Sequence, residues 1–279
     1  MRSGYVAGPS VDCSGFQIER DFMVKGNELA TVEPAKFLAL HGDADFKEAL
    51  SANLATGETI QVSDLVRVKT PAGGGRTWQY CNSDGTEVET KSIEGLLVYY
   101  APLGQLWGSE EPTKGQRPVL TSYDLKTAVR TNDNLGDIDP EQLAAFRVGD
   151  RLYNWEAMGA EGSPFGWGSG KGGIGRRIKE SRTLAILQPG EAWPVLLNVG
   201  GGSIQTVGRW VKLLKVAHFR AHVSLTLQKV ASKGGIDYSQ IVPELVGTIS
   251  MDEGQVIKKL YTDPLTRIAT SFDSAGHDA

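Results

Sequence analysis

The chain has 279 residues, two cysteines and a formal net charge of −4. That length supports a sizeable core without disulfide staples. Cys13 and Cys81 sit at no metal-ligand spacing, no apolar run approaches the roughly 20 residues of a membrane span, and Met1 to Asp12 lack a charged-then-apolar leader pattern. A disulfide framework and a membrane span are excluded, and a cytoplasmic protein with two free thiols is expected.

Residues 1–56 read as an arm followed by short helices. Glu33-Pro34 opens the first, since proline suits the first helical position, and Phe46, Leu50 and Leu54 share the face of a second. After Gly57 the period becomes that of strands. Ile60, Val62, Leu65, Val66 and Val68, a turn at Ala72-Gly73-Gly74-Gly75, and Arg76 to Tyr80 predict a hairpin. Asp84-Gly85 signals another turn, and Ile93 to Tyr100 a buried strand on which Tyr99 and Tyr100 face opposite ways. The region 101–182 reads as long polar or glycine-rich connections with a short helix at Pro140 to Phe146. Beyond it, Thr183 to Leu187 and Pro194 to Val199 are short strands. Ser203 caps a helix that buries Val207, Trp210, Val211 and Leu214 and exposes Gln205, Arg209 and Lys212. Ala221 to Val230 alternates and pairs with Tyr238 to Ile249 across Lys233-Gly234-Gly235. Residues 251–279 read as a C-terminal helix and tail; Ser250-Met251-Asp252-Glu253 forms a capping box ahead of that helix, with Val256, Ile257 and Leu260 as its apolar positions. The expected fold is mainly β (α+β): an OB-like five-stranded Greek-key barrel over residues 57–250, with long loops and flanking helices. An open β-sandwich fits the same pattern.

Charge is segregated along the chain. From Ala192 to Ile236 there is no Asp or Glu, while Arg209, Lys212, Lys215, Arg220, Lys229 and Lys233 lie there with His218 and His222. Just upstream, Lys171, Arg176, Arg177, Lys179 and Arg182 are opposed only by Glu180. This predicts a positive surface on a mildly acidic body.

Gly170-Lys171-Gly172-Gly173-Ile174-Gly175-Arg176-Arg177 imitates a phosphate loop, but arginines stand where a lysine and a magnesium-binding hydroxyl are needed. No strand precedes it, and Phe165 occupies the place of a first glycine. No other cluster reads as catalytic; Asp124 and Asp150 are turn formers. Strand binding needs cations for phosphates and flat side chains for bases. Phe165, Trp167, Lys171, Arg176, Arg177, Lys179 and Arg182 supply both, with glycines that let backbone approach a phosphate. Arg67, Lys69, Arg76, Trp78 and Tyr80 of the first hairpin are the second group, Trp78 and Tyr80 being equally suited to hairpin packing. Arg209 and Lys212 extend the surface. Trp107, Trp193 and Trp210 lie in apolar contexts that favour burial.

Asp64 to Trp78, Ile93 to Tyr100 followed by Trp107, Trp167 to Gly175, and Tyr238 to Val242 together resemble a family of single-stranded-DNA-binding proteins from phage and mobile-element replication or recombination modules. The resemblance spans roughly Phe46 to Val256. It implies a non-enzymatic protein without cofactor that binds single-stranded DNA with little sequence preference and associates with itself along the strand or with a recombinase. A phage or defence-system protein meeting an acidic protein partner is the alternative. The family is expected to carry four cysteines around the glycine loop; this chain has Leu120, Ala160, Ser163 and Ile178 there, which hold no zinc.

Overall fold

A computed structural model describes residues 30–31, 37, 65–82, 85–113, 116–173, 175–232 and 235–266. The expected arm and N-terminal helices (apart from 30–31 and Phe37), Ile60, Val62, Asp84, Lys233-Gly234 and the tail lie outside the described residues. The strands are β1 (Ala30–Thr31), β2 (Arg67–Val68), β3 (Trp78–Cys81), β4 (Glu87–Thr90), β5 (Ser92–Leu106), β6 (Leu120–Ser122), β7 (Thr127–Arg130), β8 (Leu152–Asn154), β9 (Lys179–Leu187), β10 (Val195–Val199), β11 (Ala221–Ala231) and β12 (Asp237–Thr248). The α-helices are α1 (Pro140–Ala144), α2 (Trp155–Gly159), α3 (Ser203–Leu213) and α4 (Met251–Ile257).

The spine is β5, whose 15 residues span about 50 Å at the usual rise. On one edge β5 pairs with β11 at its start and β6 at its end; on the other it pairs with β9 from Leu96 to Gln105. From these, β11 leads to β12 and β1, β9 leads to β10 and β2, and β6 leads to β7 and β8. The described strands therefore form a branched, open ten-stranded sheet beside the small β3–β4 sheet. They do not close into a five-stranded barrel, because β5 is long enough to carry different neighbours at its two ends. The first hairpin is also rearranged. Arg67 and Val68 pair in parallel with Leu196 and Leu197, whereas Trp78 to Cys81 pair with β4 through the turn that Gly85 closes by donating to Asn82 O.

Both faces of the central strands are covered, which is why Leu184 to Leu187 read as an unbroken apolar run. A first cluster gathers Val68, Trp78, Ile93, Leu97, Leu184, Ile186, Leu197, Val207 and Leu225; a second, on the opposite face, gathers Phe37, Leu96, Val98, Tyr99, Ala185, Leu187, Leu196 and Ile257. The alternation switches at a bulge between Leu97 and Tyr99, where Val98 has no partner in β9. The Val98 carbonyl accepts instead from the Thr262 hydroxyl at 2.5 Å, so the turn after α4 satisfies the bulge. Past it, Tyr100 faces the first cluster while buried Tyr99 stays with the second.

Residues 101–182 carry far more regular structure than their composition suggests. β6, β7, β8, α1 and α2 enclose a third cluster with Leu106, Leu120, Tyr153, Trp155, Met158, Phe165 and Ile178. Gly104 lets this layer close on the sheet, since a Cβ there would come within 2.5 Å of the Trp155 ring. In the β6–β7 turn, Asp124 Oδ1 accepts from the backbone of Lys126 and Thr127 and from Ser122 Oγ. Burial is the largest single influence and raises its pKa, but the hydrogen bonds together outweigh it and hold the carboxyl below its ordinary value.

The capping box at Ser250 and Glu253 forms as expected. Ile257 is buried, but Val256 and Leu260 are exposed; the buried face runs through Gly254, Ile257, Tyr261 and Leu265, and the helix turns π-helical after Ile257. Ser203 does not cap α3. Gly202 does, and Ser203 Oγ accepts from Ile241 N at 2.9 Å, tying the helix to β12. Among the described residues no helix is long and apolar enough to cross a membrane.

Candidate nucleic-acid interface

The glycine loop is a pinned turn. Trp167 and Arg176 form an isolated antiparallel bridge, and Gly168 N donates to Gly175 O at 2.7 Å. Gly168 and Gly175 take φ values of +84° and +73°, which only glycine adopts without strain, so these two glycines reverse the chain tightly enough to set Trp167 beside Arg176. The Arg176 guanidinium lies 5.0 Å from the indole centroid. With that cation in place Trp167 is still 66% exposed. An exposed tryptophan with a cation over its ring has the chemistry of a stacking platform.

From this platform a polar seam runs along β9, on the face of the first and third clusters. Arg176 Nη1 lies 3.5 Å from Glu180 Oε1, which also accepts from Trp155 Nε1 at 3.4 Å. Arg182, two residues on and so on the same face, is half-buried and donates to Ser181 O. Its Nε and the Tyr100 hydroxyl lie 3.9 and 3.4 Å from where a Cβ on Gly208 would stand, which brings the seam up to α3. There Arg209 and Lys212 are exposed, as expected, and Lys215 follows them. Trp167, Arg176, Arg182 and the basic face of α3 thus succeed one another along one face, with Glu180 as the carboxylate between them.

The other expected residues divide. Phe165 is buried in the third cluster, edge-on to Phe146, because its side chain anchors the loop from beneath. Arg177 is only 15% exposed; it donates to Gly108 O and faces Glu110 at 3.6 Å, fastening the loop to the segment after β5. Lys171 is exposed and pairs with Glu111, and Lys179 donates to Arg176 O. Exposed ion pairs of this kind are worth about 0–1 kcal/mol, so Lys171 exchanges partners readily.

Trp78 and Tyr80 are buried in the first cluster and cannot stack on a base. Trp78 Nε1 donates to Leu225 O at 3.0 Å; Pro243, opposite Leu225 in β12, has no N–H to give. Arg67, Lys69 and Arg76 are exposed, but Arg67 sits beside Leu196 on the face of the second cluster. Arg67 therefore lies on the opposite face of the sheet from Arg182, and Trp78 and Tyr80 add no stacking surface beside the glycine loop.

Several expected contributors to the basic surface also fall away. Burial holds the His218 and His222 imidazoles below their ordinary pKa, with Glu94 opposing the shift at His222, so both are neutral near pH 7. Arg220 donates to Ile249 O, and Lys229 pairs with Asp237. Leu120 and Ile178 share the third cluster, so apolar packing occupies two of the four positions at which the resembled family is expected to carry cysteines. Trp155 joins the seam without having been singled out in the sequence, while Glu180 and Tyr100 were noted only as an opposing charge and a strand residue, not as parts of a site. Glu180 is the only acid in the run from Lys171 to Arg182, and that isolation was the available signal.

No family model matches the chain, and no curated protein or solved structure matches it.

Proposed function

We propose that this chain is a non-enzymatic single-stranded-DNA-binding protein of a phage or mobile-element replication or recombination module, gripping the strand along the seam from Trp167 to α3. The observation that carries the reading is Trp167: a large aromatic left 66% exposed under a guanidinium, at the head of a row of arginines. Arg176, Arg182, Arg209 and Lys212 would face phosphates while bases stack on the indole. Strand-binding OB-like barrels offer a basic groove with aromatic platforms, and here an open sheet with a helix across it supplies those parts. Weak sequence preference follows, since every base has a ring face and phosphates are alike. Cooperative self-association along the strand and contact with a recombinase fit the same role.

The test is fluorescence anisotropy with labelled oligothymidine at low and moderate salt. Binding in the micromolar range or tighter at low salt, weakening steeply as salt rises, is expected. A protein-partner reading is favoured by one feature: Leu213, 68% exposed at the end of α3 among Arg209, Lys212 and the following Lys215, suits an acidic protein surface with an apolar contact. Oligonucleotide competition separates the two, because a protein partner that DNA cannot displace would support that second reading.

A further inference from the structure

On the face opposite the seam, β2 and β10 border a cavity of about 350 Å³ that nothing in the DNA-binding reading uses. The parallel register places Arg67 beside Leu196, so Arg67 and Lys69, two residues apart, project from the same face as Leu196 and Asn198. Among the described residues no carboxylate engages either cation and none lines the cavity. Thr183 Oγ1 donates to Asn198 Oδ1 at 3.2 Å across β9 and β10. With the amide oxygen engaged, its nitrogen is the end left to donate. Leu196 borders the cavity between these groups while its side chain packs into the second cluster, and Gly200 leaves the rim without a side chain.

We propose that this cavity binds a small phosphomonoester of nucleotide size. A phosphate dianion matches one guanidinium and one ammonium, which donate charge-assisted hydrogen bonds, and the Asn198 amide adds a neutral donor. The volume falls in the range of small-molecule sites and exceeds what inorganic phosphate alone would fill, which leaves room for an organic body beside the phosphate.

The test is calorimetric titration of the full chain with AMP, adenosine and inorganic phosphate. AMP binds saturably, adenosine at least tenfold more weakly, and inorganic phosphate displaces AMP. The R67A/K69A pair and N198D, which adds a carboxylate, each weaken AMP at least tenfold while oligothymidine binding and the melting temperature stay at parental values. Absence of saturable AMP binding, equal affinity for adenosine, or unchanged affinity in these variants overturns the proposal. Displacement of AMP by oligothymidine in the parent protein would also overturn it, since it would place both ligands on one surface.

Discussion

Trp78 and Trp167 carry the same side chain to opposite ends of the exposure scale, and their different surroundings decide what each does. Trp78 is fully buried with its indole N–H on a strand carbonyl. Trp78→Ala should cost roughly 3–5 kcal/mol of stability, read as a fall in urea midpoint. Trp167→Ala should leave that midpoint within about 0.5 kcal/mol of the parent and instead weaken oligothymidine binding by about 1–3 kcal/mol, roughly five- to 150-fold, with the salt slope little changed. A stable Trp78→Ala protein or an unaffected Trp167→Ala affinity would each contradict its assignment. The arginines follow the same logic. Arg177 is an internal fastener, so its replacement should show first in loop stability. Arg182→Ala or Lys212→Ala should weaken binding to all sequences alike and lower the salt slope by about one. In the sequence these residues look alike, since composition shows how many cations a segment has but not which ones meet a carbonyl.

At the scale of elements, local chemistry was readable and distant pairing was not. The β11–β12 hairpin, the strand from Ile93 to Tyr100 and the capping box at Ser250 are each written in a few adjacent residues by alternation, turn type or spacing. The parallel pairing of β2 with β10 joins residues far apart in the chain, and nothing local to Arg67-Val68 announces its partner. The bulge at Val98 is equally silent, because Leu-Leu-Val-Tyr-Tyr reads as a regular run until its alternation is seen to switch. Thr262 explains how that bulge is tolerated. Thr262→Val should strip the Val98 carbonyl of its donor and cost about 1–3 kcal/mol, measured by thermal or urea unfolding. No loss would mean that the carbonyl finds another donor. Ser203 shows the limit of motif reading: a serine at a helix start is an apt cap, yet its hydroxyl serves β12 across the first cluster.

At the scale of the whole molecule, the seam is where the layer formed by α2 and β6–β8 meets the layer formed by α3, with β9 passing under both. Residue types for this site were legible: Trp167, Arg176, Arg182, Arg209 and Lys212 all stood out. Their assembly was not, because it depends on β5 being long enough to carry two layers on one face. Acid sensitivity belongs to this scale as well. His218 and His222 have lowered pKa values in the folded state, so the unfolded chain binds protons more readily below its ordinary imidazole value near 6.5. Their contribution to stability is full above that value and is lost as pH falls below it. The melting temperature should drop between pH 7.5 and 5.5, and the H218Q/H222Q variant should flatten that drop. Asp124, held below its usual value near 3.8, loses its contribution only at lower pH and leaves this window to the histidines. An undiminished drop in the double variant would assign the sensitivity elsewhere.

The central claim is that one face, from Trp167 along β9 to α3, holds single-stranded DNA. Anisotropy of labelled oligothymidine against the parent protein and a Trp167→Ala/Arg182→Ala variant, from low to moderate salt, tests it most directly. The account predicts micromolar or tighter binding at low salt that weakens steeply with added salt, and a loss of at least tenfold in the variant at unchanged melting temperature. No binding at micromolar protein at low salt, or equal affinity in the variant, would contradict it.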